Sequence, residues 1–200
     1  MNESIHGERT ASEPQDRLTE LIEQQTAISE VLRAIANSPH DLQPIFDAIL
    51  DSATRLCRAD IGTLRLSEES GFRHVAMRGE PLLVSQASSA ITALQEKGSY
   101  LSRFVTSRLP THIPDLAALE GYHRDDFWTK LVNIGFRTGL AVPLRKGNEI
   151  VGLISLGRKQ PFTDRQISLF RDFAAQAATV LESTRRERQY REAQLALAHA

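Results

Sequence analysis

The chain is expected to fold as an α+β domain, an antiparallel sheet covered by helices, with a long helix at either end. The order of the apolar periodicities predicts this. Helical spacing from Leu18 to Leu56 gives way to a spacing of two over two short runs, then to an irregular middle, two longer alternating runs and a final helical stretch. Strands and helices therefore do not alternate as parallel βαβ units require. A second observation predicts the end helices: at both ends apolar residues recur at alternate intervals of three and four, the spacing of a coiled-coil seam.

Residues 1–16 are polar, carry Gly7 and Pro14 and show no period, so they are expected to be a disordered lead-in. A helix over 17–38 follows. Its seam runs Leu18, Leu21, Gln25, Ile28, Leu32 and Ile35, interrupted once by the polar Gln25, and the Ser38-Pro39 step ends it. Asp41 is placed to cap a second helix that carries Pro44 in its first turn and Ile45, Phe46, Ile49, Ala53 and Leu56 on one face. Ile61–Leu66 and Phe72–Met77 read as a hairpin turning around Glu68–Gly71.

The stretch from Gly79 to Leu109 shows no clear strand. Thr111–Pro114 is a brief extended piece between prolines, and Phe127–Ile134 a short helix ended by Gly135. Phe136–Leu144 and Ile150–Arg158 are strands joined at Lys146-Gly147-Asn148, with apolar residues on both faces, as central strands have.

PFTDRQI at 161–167 is a helix start: Thr163 and Gln166 make a capping box, and Phe162 and Ile167 a hydrophobic staple. The seam that follows passes through Ile167, Phe170, Ala174, Ala177, Leu181 and Thr184. Continued to Ala200, the helix would be about 57 Å long. From Arg185 onward it would have little to cover except a second copy of itself, so the two seams are the expected interface of a homodimer.

Composition narrows the function classes. With 24 Lys and Arg against 25 Asp and Glu, the chain has no field to gather nucleic acid or anionic lipid. The single Cys57 makes no internal disulfide and, with scattered histidines, no metal set is predicted. No run reaches the ~20 apolar residues of a membrane span, and the expected setting is cytoplasmic, without membrane contact. Motifs of nucleophilic, phosphate-cradling or zinc-dependent enzymes are lacking, and the adjacent acids Glu68-Glu69 and Asp125-Asp126 point to different faces, so no catalytic residue is assigned.

THIPDLAAL at 111–119, followed by GFRTGLAVPLRKGNEIVGLISLGRKQPFTDRQISLFRDFAAQAATVLES at 135–183, resembles the GAF domains of bacterial sensor histidine kinases. The resemblance covers residues 40–184. It implies a six-stranded antiparallel sheet with helices on both faces, the first and last helices on one side and a ligand pocket under the middle loops on the other. The tail REAQLALAHA, within 185–200, resembles the coiled-coil linker that precedes the phosphoacceptor helix in such kinases, which implies an output domain beyond it; His199 is not assigned as the phosphorylated histidine.

Several residues are candidates for the ligand site. Arg65, alternating with Thr63 on the first strand, presents a polar face to a pocket or to solvent. His112 and Asp115 stand at the expected pocket rim, or fill a strand position and cap a turn. Tyr122, His123, Phe127 and Trp128 are placed to stack on a planar ligand or to anchor a loop. Arg137 and Thr138 offer a cation and a hydroxyl to an anion.

Cofactor readings are constrained. Covalent bilin attachment does not suit Cys57 at the end of the second helix, and haem held by His112 or His123 lacks a diagnostic motif. Cys57 reads as a small core residue. The functional expectation is a sensor and dimerisation module of a two-component histidine kinase that binds an unidentified small cytosolic ligand and relays it through the last helix. The alternatives are a ligand-free dimer spacer and a sensor serving another output such as a nucleotide cyclase. A GAF-type methionine sulfoxide reductase needs more cysteines than one.

Overall fold

The computed structural model describes residues 9–38, 41–69, 71–79, 91–93, 108–118, 129, 132–133 and 135–198. Helix α1 spans Arg9–Asn37 and α2 Gln43–Cys57; β1 covers Ile61–Glu68, β2 Gly71–Arg78, β3 Ile91–Ala93 and β4 Thr111–Ile113. After a short turn of 3-10 helix at Leu116–Ala118 come β5, Thr138–Lys146, β6, Glu149–Arg158, and the long helix α3, Asp164–Ala198. The six strands make one sheet in the order β3-β2-β1-β6-β5-β4, every neighbouring pair antiparallel.

Local signals place most of these elements. Asp41 Oδ1 accepts from Gln43 N at 2.9 Å, one residue ahead of the cap position Leu42, and Pro44 lies in the first turn of α2. Gly147 turns β5 into β6 with φ +57. At the start of α3 the capping box is complete: Gln166 N donates to Thr163 Oγ1 at 3.2 Å and Thr163 N to Gln166 Oε1 at 3.1 Å.

Alternation divides the sheet into two faces. Leu64 and Leu66 of β1, Leu140, Val142 and Leu144 of β5, and Ile154 and Leu156 of β6 join the main core with Ile45 and Ile49 of α2 and Phe170, Phe173 and Ala177 of α3. Each such fully buried large side chain contributes about 1.5–3 kcal/mol relative to exposure. Gly62 lets α2 come this close: a Cβ there would lie 2.6 Å from Thr54 Cγ2 and 3.0 Å from Leu50 Cδ1. The long helices therefore pack on one side. Buried residues that fall outside this core, among them Ile61, Phe72, Ile113, Ala141 and Leu153, alternate onto the opposite face.

Three expectations need correction. The helix expected from residue 17 already runs from Arg9, so 9–16 are not a disordered lead-in: extending a nucleated helix fixes one residue per bond gained, and Pro14 forfeits a single bond. A strand, β3, lies in the stretch that showed none, and it forms by pairing its three residues with Gly71, Phe72 and Arg73 of β2.

The seams are also redistributed. Phe170, Ala174, Ala177 and Leu181 belong to this chain's own core and Thr184 is buried beside it, with Ile167 partly buried against the same core, so this seam is taken up largely within one chain. In α1 the inward stripe is Ala27 and Val31, with Ile28 and Ile35 partly buried against the same core, while Leu18, Leu21 and Leu32 stay exposed together with Ile22. The reason is α2: burying Ala27 and Val31 against the domain sets the rotation of α1, and Glu30 beside them reaches Arg55 and Ser52 of α2.

Candidate functional site

On the face of the sheet opposite the helices, three adjacent strands bring four polar side chains together. Arg65 of β1 stands across from His74 of β2 and two residues from Thr63, and Thr63 stands across from Ser155 of β6. Thr63 and Arg65 are 4% and 8% exposed, although none of the three long helices covers this side. Phe72 and Leu153, both buried, give the neighbourhood an apolar floor.

The hydrogen bonds define the chemistry. Arg65 Nε donates to His74 Nε2 at 3.0 Å, and Arg65 Nη1 to Ser155 Oγ at 3.4 Å. A guanidinium only donates, so Nε2 is an acceptor and the ring proton sits on Nδ1. His74 Nδ1 is buried and has no hydrogen-bond partner among the described residues, and the same is true of Thr63 Oγ1. Burial first, and the Arg65 charge second, push the imidazole down from 6.5 to about 4. The cluster is a set of donors in a desolvated place, two of them unused, and an unmet buried polar group costs about 1–3 kcal/mol.

Of the residues proposed from sequence that are described, Arg65 alone belongs to this cluster. His112 pairs with Leu140 and so points to the helix side, where Nε2 lies 3.2 Å from Thr138 Oγ1 and the ring meets Phe162 edge-on with centroids 6.1 Å apart. Burial lowers its pKa, against an opposing pull from Asp164. Thr138 is fully buried and donates to Ile113 O at 2.8 Å, so its hydroxyl holds β4 to β5 and offers nothing to an anion. Asp115 Oδ1 accepts from Ala117 N at 3.0 Å, the capping role. Arg137 is exposed just before β5. Tyr122, His123, Phe127 and Trp128 lie outside the described residues.

His74 and Ser155 were missed. The antiparallel register that pairs Glu68 with Gly71 also sets Arg65 opposite His74, so that partner was legible from the hairpin. Ser155 was not, because β1 and β6 are far apart in sequence.

Cys57 does not fit a bilin. It is fully buried on the helix side between α2 and α3, its Sγ 3.7 Å from Gln166 O, and burial pushes its thiol up to about 12. His112, engaged with Thr138 beside Phe162, does not fit a haem ligand. Among the described residues no three His, Cys, Asp or Glu side chains gather as a metal set. No helix among the described residues is long and apolar enough to cross a membrane.

A domain of this architecture occurs in a GAF domain/HD domain protein from Geobacter sulfurreducens, with a TM-score of 0.64 at 16% identity, covering 74% of this chain and 96% of that one. The domain assigned to a two-component sensor histidine kinase protein from Sinorhizobium meliloti 1021 aligns with a TM-score of 0.58 at 18% identity over 76% of this chain and 98% of its own. The GAF domain of a phosphoenolpyruvate-protein phosphotransferase from Coxiella burnetii gives 0.65 at 12% identity, over 83% and 96%. At these identities the likeness is one of fold. No curated protein matches the chain. A family model described as GAF domain matches residues 41–181, from Asp41 just ahead of α2 to Leu181, the last apolar core residue of α3, and the chain belongs to the GAF domain family.

Proposed function

We propose that this GAF domain is the sensory and dimerising module of a two-component sensor histidine kinase: it takes a small molecule on the Arg65 face of the sheet and passes the event along α3 to an output domain. One observation carries the reading. Helix α3 is a single element, core of the domain as far as Thr184, yet it continues through Ala198 with Tyr190, Leu195 and Leu197 exposed. A surface helix with large exposed apolar residues and no core of its own to cover suits a second copy of itself.

The strands offer a short mechanical route. Ser155, which accepts from Arg65, is three residues before Arg158 on β6, and Arg158 Nη1 donates to Gln166 Oε1 at 3.0 Å in the first turn of α3. Farther along, Lys146 at the tip of the β5–β6 hairpin pairs with Glu182 at 2.6 Å. A ligand that prefers one arrangement of the sheet would therefore bias the setting of α3, and a coupling of ~1–3 kcal/mol changes an output several-fold or more. The kinase output is supported by the resemblance of REAQLALAHA to a kinase linker and by the fold shared with the Sinorhizobium domain.

The dimer surface in this reading is Leu18, Leu21, Ile22 and Leu32 of α1 with Tyr190, Leu195 and Leu197 of α3. Sedimentation of the chain at tens of micromolar should give a dimer, and Leu195→Lys with Leu197→Lys should shift it toward monomer while leaving thermal unfolding of the domain unchanged. A wild-type monomer under those conditions would remove the relay.

A further inference from the structure

We infer that the tip of the β5–β6 hairpin clamps α3 at the point where that helix leaves the domain, and that releasing the clamp lets the helix bend at Ser183 and Thr184. This deepens the relay proposed above, and its signalling consequence rests on that reading. The pivot lies where packing stops. Leu181 and Thr184 are 2% and 8% exposed, whereas Arg186, Glu187 and Tyr190 beyond them are open to solvent. Upstream, Phe170, Ala174 and Ala177 lie in the core and Gln166 is tied to Arg158, so the helix is fixed there. At the boundary Ser183 Oγ and Thr184 Oγ1 both donate to Val180 O, at 2.8 and 3.0 Å. That oxygen is also the ladder acceptor for the Thr184 N–H. Hydroxyls bonded in this way compete with the ladder and give the carbonyl a partner when it opens, which is how such residues bend helices.

One carboxylate spans the pivot. Glu182 Oε1 accepts from Lys146 Nζ at 2.6 Å and from Arg186 Nε at 2.8 Å, so a single oxygen meets one cation from the body and one from the exposed part of the helix. With Lys146 in place the exit of α3 is fastened to the sheet; without it, Glu182 keeps its bond to Arg186 within the helix. The tip that carries Lys146 is set apart from the rest of the hairpin: Leu144 pairs with Gly152 and Arg145 with Ile150, which leaves Val151 as an extra residue in β6. On its other side the tip is held by Arg108, whose Nη1 donates to Asn148 O at 3.2 Å. Arg108 has left-handed backbone, φ +53, just ahead of β4, a conformation that a non-glycine residue keeps where its surroundings fix it. Strand β4 buries Ile113 on the Arg65 face of the sheet. A molecule on that face that shifts β4 would therefore move the tip through Arg108 and the helix exit through Lys146.

Double electron–electron resonance on the full chain tests this, with nitroxides at Glu69→Cys on the β1–β2 turn and Gln194→Cys on α3. Dilution with unlabelled chain restricts the signal to distances within one chain. Wild type is expected to give one narrow distribution. The Lys146–Glu182 pair is partly exposed, so Lys146→Met or Glu182→Gln should raise the population of bent settings by about two- to fivefold, read as a broader distribution. Arg108→Ala should broaden it in the same direction. Adding Ser183→Ala and Thr184→Val to Lys146→Met removes the competing hydroxyls and should restore the narrow distribution. Glu187→Gln breaks a similar pair with Arg191 beyond the pivot and should leave the width unchanged. Thermal unfolding midpoints should hold in the Lys146, Glu182 and Arg108 variants, which separates a released clamp from a damaged fold. An unchanged width in any of those three, a broadening that the pivot substitutions do not reverse, equal broadening by Glu187→Gln, or a midpoint that falls with the broadening overturns the inference. Sedimentation of the same samples tests the relay separately: a monomer that broadens with Lys146→Met keeps the clamp and sinks the relay, and a dimer indifferent to that substitution does the reverse.

Discussion

Arg158 Nη1 and Gln166 Oε1, 3.0 Å apart, join the last residue of β6 to the first turn of α3. The same Oε1 accepts from Thr163 N, and Gln166 Nε2 donates to Cys57 O at 3.1 Å, so one side chain ties a strand, the end of α2 and the start of α3. Gln166→Ala should cost about 1–3 kcal/mol in urea unfolding, because it removes a cap partner and leaves Cys57 O with one donor fewer. Gln166→Glu, which keeps the acceptor for Thr163 and Arg158, should cost less than Gln166→Ala. The reverse order would mean that the bond to Cys57 dominates the joint.

His74 gives stability a pH dependence of definite sign. Its folded value of about 4 lies below the ordinary 6.5, so between those limits the unfolded chain binds more protons and stability rises with pH. The contribution is fully present above pH 6.5 and is lost as pH falls toward 4, by about 1–2 kcal/mol once the partial exposure of the ring is discounted. His112, also held low by burial, adds a slope of the same sign. Chemical denaturation from pH 4.5 to 7.5 should show a shallower slope for His74→Phe than for wild type, and parallel curves would place the titration elsewhere.

Gly152 sits where β6 crosses between β1 and β5, opposite Leu66 and Leu144. A Cβ there would come 2.6 Å from the carbonyl oxygen of Arg65, a backbone atom that cannot swing aside, and 3.2 Å from Leu144 Cδ1. Gly152→Ala should therefore destabilise by about 1–3 kcal/mol, the range for overpacked cores. It should also disturb the Arg65 face from behind, which the imidazole resonances of His74 would report. Unchanged unfolding midpoints would show that β1 yields more easily than a central strand should.

Cys57 should be inert in the native state. Its thiol is fully buried and pushed up to about 12, so little thiolate is present at pH 8. Reaction with a disulfide reagent should be roughly a hundredfold slower in buffer than in concentrated urea. Rapid native labelling would mean that α2 and α3 separate locally, and Gln166→Ala, which loosens that junction, is expected to speed it.

What was legible in the sequence was local. The capping box at Thr163 and Gln166, the turn at Gly147-Asn148 and the strand over Ile61–Leu66 depend on residues a few positions apart, and each holds in the structure. His112 shows where such reading stops. It lies in an extended segment as expected, but which face it takes depends on its pairing with the distant Leu140, and that pairing turns it to the helices. Strand β3 escaped for the same reason, since its hydrogen bonds come from β2 and not from any periodicity of its own.

The heptad spacing makes the point most sharply. By itself the sequence determined that two long helices exist and which residues line up along each, because helical periodicity is a property of the helix alone. Only the tertiary structure decided that Phe170, Ala174 and Ala177 would be consumed inside one chain while Leu18 and Leu21 stay exposed. An apolar stripe registers the need to leave water and carries no record of its partner. The same holds for Thr63, Arg65, His74 and Ser155: their chemistry stands in the sequence, but their assembly into one polar cluster comes from the registers of β1 with β2 and β6.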